Sequence, residues 1–151
     1  IIDACLSIDK EDDLALCVKK SFALMEFIKT SDGSNLIQGF KRANNILLQA
    51  EKNDGVEYSF GADLKYAKED AELNLFSVLD SEEVKIKASL EREDFVEAMN
   101  SMANLRAPID SFFETVQINS DVDHIRRNRL NLLSRICKLC LSVADLTKVE
   151  G

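Results

Sequence analysis

Apolar residues cover well over half the circumference of one long segment near the end of this chain, and that alone restricts the fold. Projected at about 100° per residue, the stretch from Asp123 to about Lys148 places Leu130, Leu132, Leu133, Ile136, Cys137, Leu139, Cys140, Leu141, Val143 and Ala144 on one broad arc. A helix that apolar is stable in water only when other elements surround it. Turn formers are scarce, with one Pro and five Gly in 151 residues, whereas Ala, Leu, Glu and Lys supply strong helix formers. The expected class is all-α: a bundle of about six to seven helices with a long C-terminal helix. One domain is expected over residues 1–151, long enough to bury about 68–70% of its unfolded surface.

The rest of that last helix carries the opposite message. Its remaining strip holds Arg127, Asn131, Arg135, Lys138, Ser142 and Asp145, and Lys or Arg recurs at 126, 127, 129, 135, 138 and 148. Beyond Asp123 the only acid before Lys148 is Asp145, inside a chain of net charge −8. A local reversal of sign predicts anion binding, while an ordinary solvated face would show the same periodicity. Arg126 and Arg129 project toward the apolar side, where a guanidinium needs a partner. Arg129 therefore reads as a structural ion pair, with Asp110 or Glu114 as its expected partner.

Along the chain, Ile1 to Leu6 reads as the tail of a helix, and the start without Met reads as a fragment of a longer polypeptide. A second helix is expected at about 12–30, with Leu14, Leu16, Val18, Phe22, Met25 and Phe27 at its apolar positions. Ser31-Asp32-Gly33-Ser34 is expected to break it, and a third helix to run from Asn35 to about Lys52, forming an antiparallel hairpin. Residues 53–68 lack a clear period and read as a loop, with faint strand character only at Val56–Phe60. Helical pattern resumes near Ala67, and Asp80-Ser81-Glu82-Glu83 is expected to cap a further helix. Phe95 to Leu105 follows. Pro108 suits the first position of a short helix ending at Val116, and Asp121 or Asp123 is the expected cap of the long basic helix.

Catalytic chemistry is not foreseen. Neither GxxxxGK[ST] nor GxGxxG occurs, so no phosphate cradle is encoded. His124, the only histidine, falls at a helix start beside Arg126 and reads as solvated or capping. Cys137 and Cys140 form a CxxC, but Cys5 and Cys17 are twelve apart and do not complete a zinc site. Thiols packed in a core within a reducing compartment are expected instead, with no metal. No apolar run approaches the ~18 residues of a membrane span and no signal peptide is visible, so a cytoplasmic location is expected.

A second basic spot lies in the third helix, where Lys41, Asn45, Leu48 and Lys52 fall near one side while Phe40, Ala43 and Leu47 face inward. Lys and Arg grip phosphates and Asn pairs with exposed base edges, a mixture suited to single-stranded RNA. The nominated RNA face is Lys41, Arg42, Asn45, Arg127, Asn131, Arg135 and Lys138.

Several segments resemble a known family. Asn35-Leu36-Ile37-Gln38-Gly39-Phe40-Lys41-Arg42-Ala43-Asn44-Asn45-Ile46-Leu47 is similar to the KR-x-x-NIL stretch of the bacterial glycyl-tRNA synthetase beta subunit. Arg106-Ala107-Pro108-Ile109-Asp110-Ser111-Phe112-Phe113 with Val116 resembles its R-x-P-[VI]-D-x-FF-x-x-V segment, and Asn128-Arg129-Leu130, Leu133 and Val143-Ala144-Asp145-Leu146 resemble its NRL…VAD terminus. The resemblance spans nearly the whole chain and implies the C-terminal, DALR-type anticodon-binding domain. It further implies tRNA(Gly) and a synthetase alpha subunit as partners in an α2β2 assembly, with no DNA and no membrane. ATP would serve the parent enzyme, whose chemistry lies elsewhere, and this fragment would hold no cofactor. A helical domain that docks the synthetase body or alpha subunit without touching RNA is the competing reading; a thiol or zinc enzyme built on Cys137 and Cys140 is the third.

Overall fold

In the computed structural model residues 14–146 are described. Among them the helices are α1 (Leu14–Ile28), α2 (Ser31–Asp54), a 3-10 turn (Leu64–Tyr66), α3 (Asp70–Glu91), α4 (Phe95–Ala103), α5 (Arg106–Thr115) and α6 (Asp123–Val143). The all-helical class is the expected one. The Ile1–Leu6 stub, Cys5 and Lys148 lie outside the described residues.

The α1–α2 turn is tighter than the residue types suggest. Thr30 closes α1 by donating its hydroxyl to Phe27 O at 2.6 Å and opens α2 by accepting from Gly33 N at 2.9 Å. Residues 31–34, expected as the break, are therefore the first turn of α2, since one capping hydroxyl satisfies a free N–H there. Gly33 permits this: a Cβ at that position would lie 1.9 Å from Phe27 O. At its other end α2 stops at Gly55, whose φ of 68° is left-handed and whose N–H donates to Glu51 O.

α3 runs without interruption through Asp80-Ser81-Glu82-Glu83, where a new helix was expected to begin. Acids favour helix starts but do not impose them. Here Asp80 and Glu83 meet Arg135 of α6, and Glu82 meets Lys85 within α3 itself. Asp94 caps α4 by accepting from Glu97 N at 3.1 Å. Pro108 is the third residue of α5, not the first, and still sits among N–H groups that the helix leaves unpaired. The residue before α6 is Val122, with no side-chain capping bond; Asp123 instead begins the helix and complements its dipole.

Packing follows the apolar arcs. α6 lies along α2 and is also touched by α3 and the 3-10 turn; α3 packs on α4 and α5, and α1 on α4 and α2. Leu130, Leu132, Leu133, Ile136, Cys140 and Val143 are wholly enclosed, with Leu36, Phe40, Leu75, Leu79 and Phe112 among their fellow core residues. Cys17, Cys137 and Cys140 are buried free thiols. Burial pushes the Cys137 thiol up to about 12, with Glu51 adding to it, and burial raises Cys140 as well. No helix among the described residues is long and apolar enough to cross a membrane.

Candidate nucleic-acid interface

The strip on α6 is not one continuous stripe. Arg127 is exposed and, among the described residues, forms no ion pair. Asn131, expected on the wet face, is only 6% exposed, and its Oδ1 has no hydrogen-bond partner. It lines the floor of a groove between α3 and α6, so a neighbouring helix that no projection of α6 alone contains removes it from solvent.

Arg135 stands on the rim of that groove, bridged by Asp80 and, at 2.8 Å, by Glu83. Burial by itself would lower the guanidinium pKa, but the hydrogen bonds to Glu83 and Asp80 outweigh it and the net shift is upward. Two carboxylates offset much of its charge toward any ligand. Lys138 is exposed and donates to Ser59 O at 3.3 Å, tying the 55–69 segment to α6. The groove encloses about 460 Å³, with Lys87 on its α3 side, Ile86, Leu90 and Leu139 as apolar lining, and Ser59 and Gly61 at its roof.

The second nominated cluster is on α2. Lys41 is half-buried, Arg42 and Asn45 are exposed, and the Arg42 guanidinium lies 4.6 Å from the centre of the Phe113 ring. A shallow cavity of about 200 Å³ opens beside it, flanked by Gln38, Asp110 and Glu114. It is a separate recess, sharing no lining residue with the α3–α6 groove.

Two arginines expected on the inner side of α6 do structural work. Arg129 pairs at 2.8 Å with Glu72 of α3, which is fully buried, and donates a second bond to Gln117 O. The structural reading is right, but the partner is neither Asp110 nor Glu114, because α3 and not α5 supplies the facing carboxylate. Arg126 binds Asp54 at 2.9 Å and the Tyr58 hydroxyl at 3.2 Å. The Tyr58 and Arg126 bonds hold Asp54 below the usual carboxylate range, while burial and Asp54 push Tyr58 up.

These contacts fasten the segment that has no period. Tyr58 N donates to Glu51 and Asp63 N donates to Asn128 Oδ1 at 2.6 Å, so both flanks of residues 59–62 are anchored. Between the anchors Phe60 is 92% exposed. Nothing in a helix projection nominates Phe60 or Lys87; the available signal was an aromatic beside Gly61 in a polar, aperiodic stretch. His124 is exposed, with its ring 5.2 Å from that of Tyr66.

Residues 36–150 match the DALR anticodon binding domain. The chain belongs to that family. The DALR match takes in α2 from Leu36 onward and all of α3 to α6, so both basic sites lie inside it. Along all 151 residues the chain is 58% identical to a glycine–tRNA ligase beta subunit of Ruegeria sp., 60% identical to one of Cereibacter sphaeroides, and 40% identical over 152 aligned positions to one of Rhodospirillum centenum. The chain spans about a fifth of the length of those relatives, 22% of the first two and 21% of the third.

Proposed function

We propose that the chain, acting as a single domain, is the anticodon-binding part of a glycine–tRNA ligase beta subunit. It holds the anticodon arm of tRNA(Gly) in the cytoplasm while ATP-dependent aminoacylation proceeds elsewhere, in an α2β2 complex with the alpha subunit. The observation that carries this reading is the DALR match over 36–150 together with high identity to beta subunits along the whole chain. Physical support comes from charge placement. A net charge of −8 opposes non-selective binding to polyanions, so any grip must be local. Arg127, Lys138 and Lys87 supply cations on α6 and α3, with Arg42 and Lys41, beside the neutral amide of Asn45, a second set on α2. Arg135 contributes less because Asp80 and Glu83 already hold it, and Asn131 serves from the groove floor, not from the surface.

Titrating the chain with a glycine tRNA anticodon stem-loop tests the reading. Each phosphate contact to a single strand contributes about −0.7 to the slope of log affinity against log salt. Arg127→Glu with Lys138→Glu is expected to flatten that slope by about two contacts; an unchanged slope and affinity refutes the assigned face.

One observation favours a second reading. Leu14, Val18, Phe22 and Met25 turn an apolar side of α1 outward, and Phe22 borders a groove of about 530 Å³ with Val96 and Met99 of α4. Such a face suits a domain that docks the synthetase body or the alpha subunit. Loss of subunit association on Phe22→Ser, with stem-loop affinity intact, separates the two.

A further inference from the structure

The aperiodic segment 55–69 is anchored more firmly than a passive connection requires. Tyr58 is locked by Glu51, Asp54 and Arg126, Ser59 O is held by Lys138, and Asp63 is held by Asn128. Between these anchored residues lies the most exposed large hydrophobic side chain among the described residues, Phe60. A lone exposed apolar side chain is ordinary on a protein surface; what singles out this one is its place in the chain between two residues that line a groove. Gly61, at φ 87°, takes a backbone conformation that L side chains rarely adopt.

Phe60 sits between Ser59 and Gly61, both of which line the α3–α6 groove. The groove volume, about 460 Å³, falls within the roughly 300–1,000 Å³ typical of small-ligand sites. Its composition is specific. Lys87 and Lys138 stand at the edge as exposed ammonium groups, the Ile86, Leu90 and Leu139 side chains give an apolar lining, and Ser134, Ser142 and Asn131 offer hydroxyl and amide groups. The one carboxylate of the lining, Glu83, is paired with Arg135. With the Phe60 ring next to it in the chain, the groove supplies what a nucleotide out of its helix requires: a π-face to stack on, charge for its phosphate, and partners for a base edge. A duplex offers no free base face and has no use for such a platform.

We propose that one unpaired nucleotide of the bound RNA stacks on the Phe60 ring at the mouth of the α3–α6 groove, with its phosphate facing Lys87 and Lys138. This rests on the RNA-binding reading above and assigns that site a stacking residue and a stoichiometry of one base.

The chain contains no Trp, so Phe60→Trp gives a fluorophore that reports this position alone. Its emission is expected to be quenched, with saturation, by a glycine tRNA anticodon stem-loop and to be unmoved by the isolated stem duplex. Phe60→Ala removes only an exposed ring and leaves the core untouched. It is expected to weaken stem-loop affinity roughly 5- to 140-fold, the equivalent of one lost aromatic–base stack, while Phe60→Tyr retains it. Lys87→Gln, which leaves the Lys138 bond to Ser59 O in place, is expected to reduce the salt slope by about one contact. If labelled stem-loop binds the wild-type chain and Phe60→Ala equally well, or if tryptophan emission stays constant while the labelled RNA binds, the stacking site is refuted and the RNA-binding reading survives. If the wild-type chain fails to bind the stem-loop at low salt, that reading falls too. Loss of subunit association in Phe60→Ala, with RNA affinity unchanged, assigns the ring to a protein interface and overturns the proposal.

Discussion

Arg129→Met strands a charge where no water can reach it. Glu72 is 0% exposed and Arg129 6%, and the guanidinium provides the 2.8 Å ion pair to Glu72 Oε1. The other donors to that oxygen are backbone N–H groups, Glu69 N at 3.1 Å and Lys68 N at 3.3 Å, which belong to the start of α3. They cannot replace a full opposite charge. Breaking a buried pair by removing one partner costs about 3–5 kcal/mol, a large share of the roughly 5–15 kcal/mol available to a domain. At about 2–4 °C per kcal/mol for a chain of this size, the melting temperature is expected to fall by about 6–20 °C. Circular dichroism at a helical wavelength reads this directly. The second variant, Arg129→Met with Glu72→Gln, is expected to recover most of the loss, because a neutral amide keeps an oxygen for Glu69 N and leaves no buried charge. The reasoning is refuted if Arg129→Met melts within about 2 °C of wild type, or if it weakens stem-loop binding while stability is intact. The latter would make Arg129 an RNA contact.

Further expectations concern the turns, the acid limb and the thiols. Gly33→Ala puts a methyl group into the Phe27 carbonyl, which is backbone and cannot rotate away; a loss of at least about 1–3 kcal/mol is expected in urea unfolding. Asp54 has its pKa lowered below 3.8 by the Tyr58 and Arg126 bonds, so its contribution is complete above that value and disappears as pH falls through the depressed one. Asp54→Asn is expected to flatten the stability profile below about pH 4 and leave its shape between pH 5 and 8 unchanged, as followed by melts across pH. Cys17, Cys137 and Cys140 are expected to resist alkylation at pH 8 in the folded chain and react on unfolding, since burial keeps Cys137 and Cys140 as thiols. Rapid labelling of Cys137 in the folded state contradicts the packing described. Asp80→Asn with Glu83→Gln releases Arg135 and is expected to steepen the salt slope of RNA binding by up to about 0.7, one phosphate contact.

Local capping decided several helix boundaries in ways that residue type alone could not. Thr30 and Gly33 act together: the hydroxyl caps α2 only because the absent Cβ lets that turn press against the Phe27 carbonyl. Asp80 to Glu83 has the composition of a helix start, yet the α3 backbone continues through it, with Asp80 and Glu83 paired to Arg135 of α6 and Glu82 paired to Lys85 one turn on in the same helix. The cationic strip illustrates the same limit for the site. Arg127 and Lys138 are exposed as the α6 projection implies, while Asn131 is buried and Arg135 partly neutralised by residues about fifty positions away. Phe60 leaves no periodic trace because it is exposed, and periodicity marks only burial.

What the sequence determined by itself is whatever depends on regular spacing. The enclosed arc of α6 and the inward faces of α2 and α3 repeat every three to four residues, and burial enforces that repeat wherever the helix is packed. The order of family motifs along the chain is likewise a linear property. Tertiary structure alone decided which charges remain available. That depends on distances between residues remote in sequence, such as Arg129 and Glu72 or Arg135 and Asp80, and the Coulomb and desolvation terms that couple them act through space.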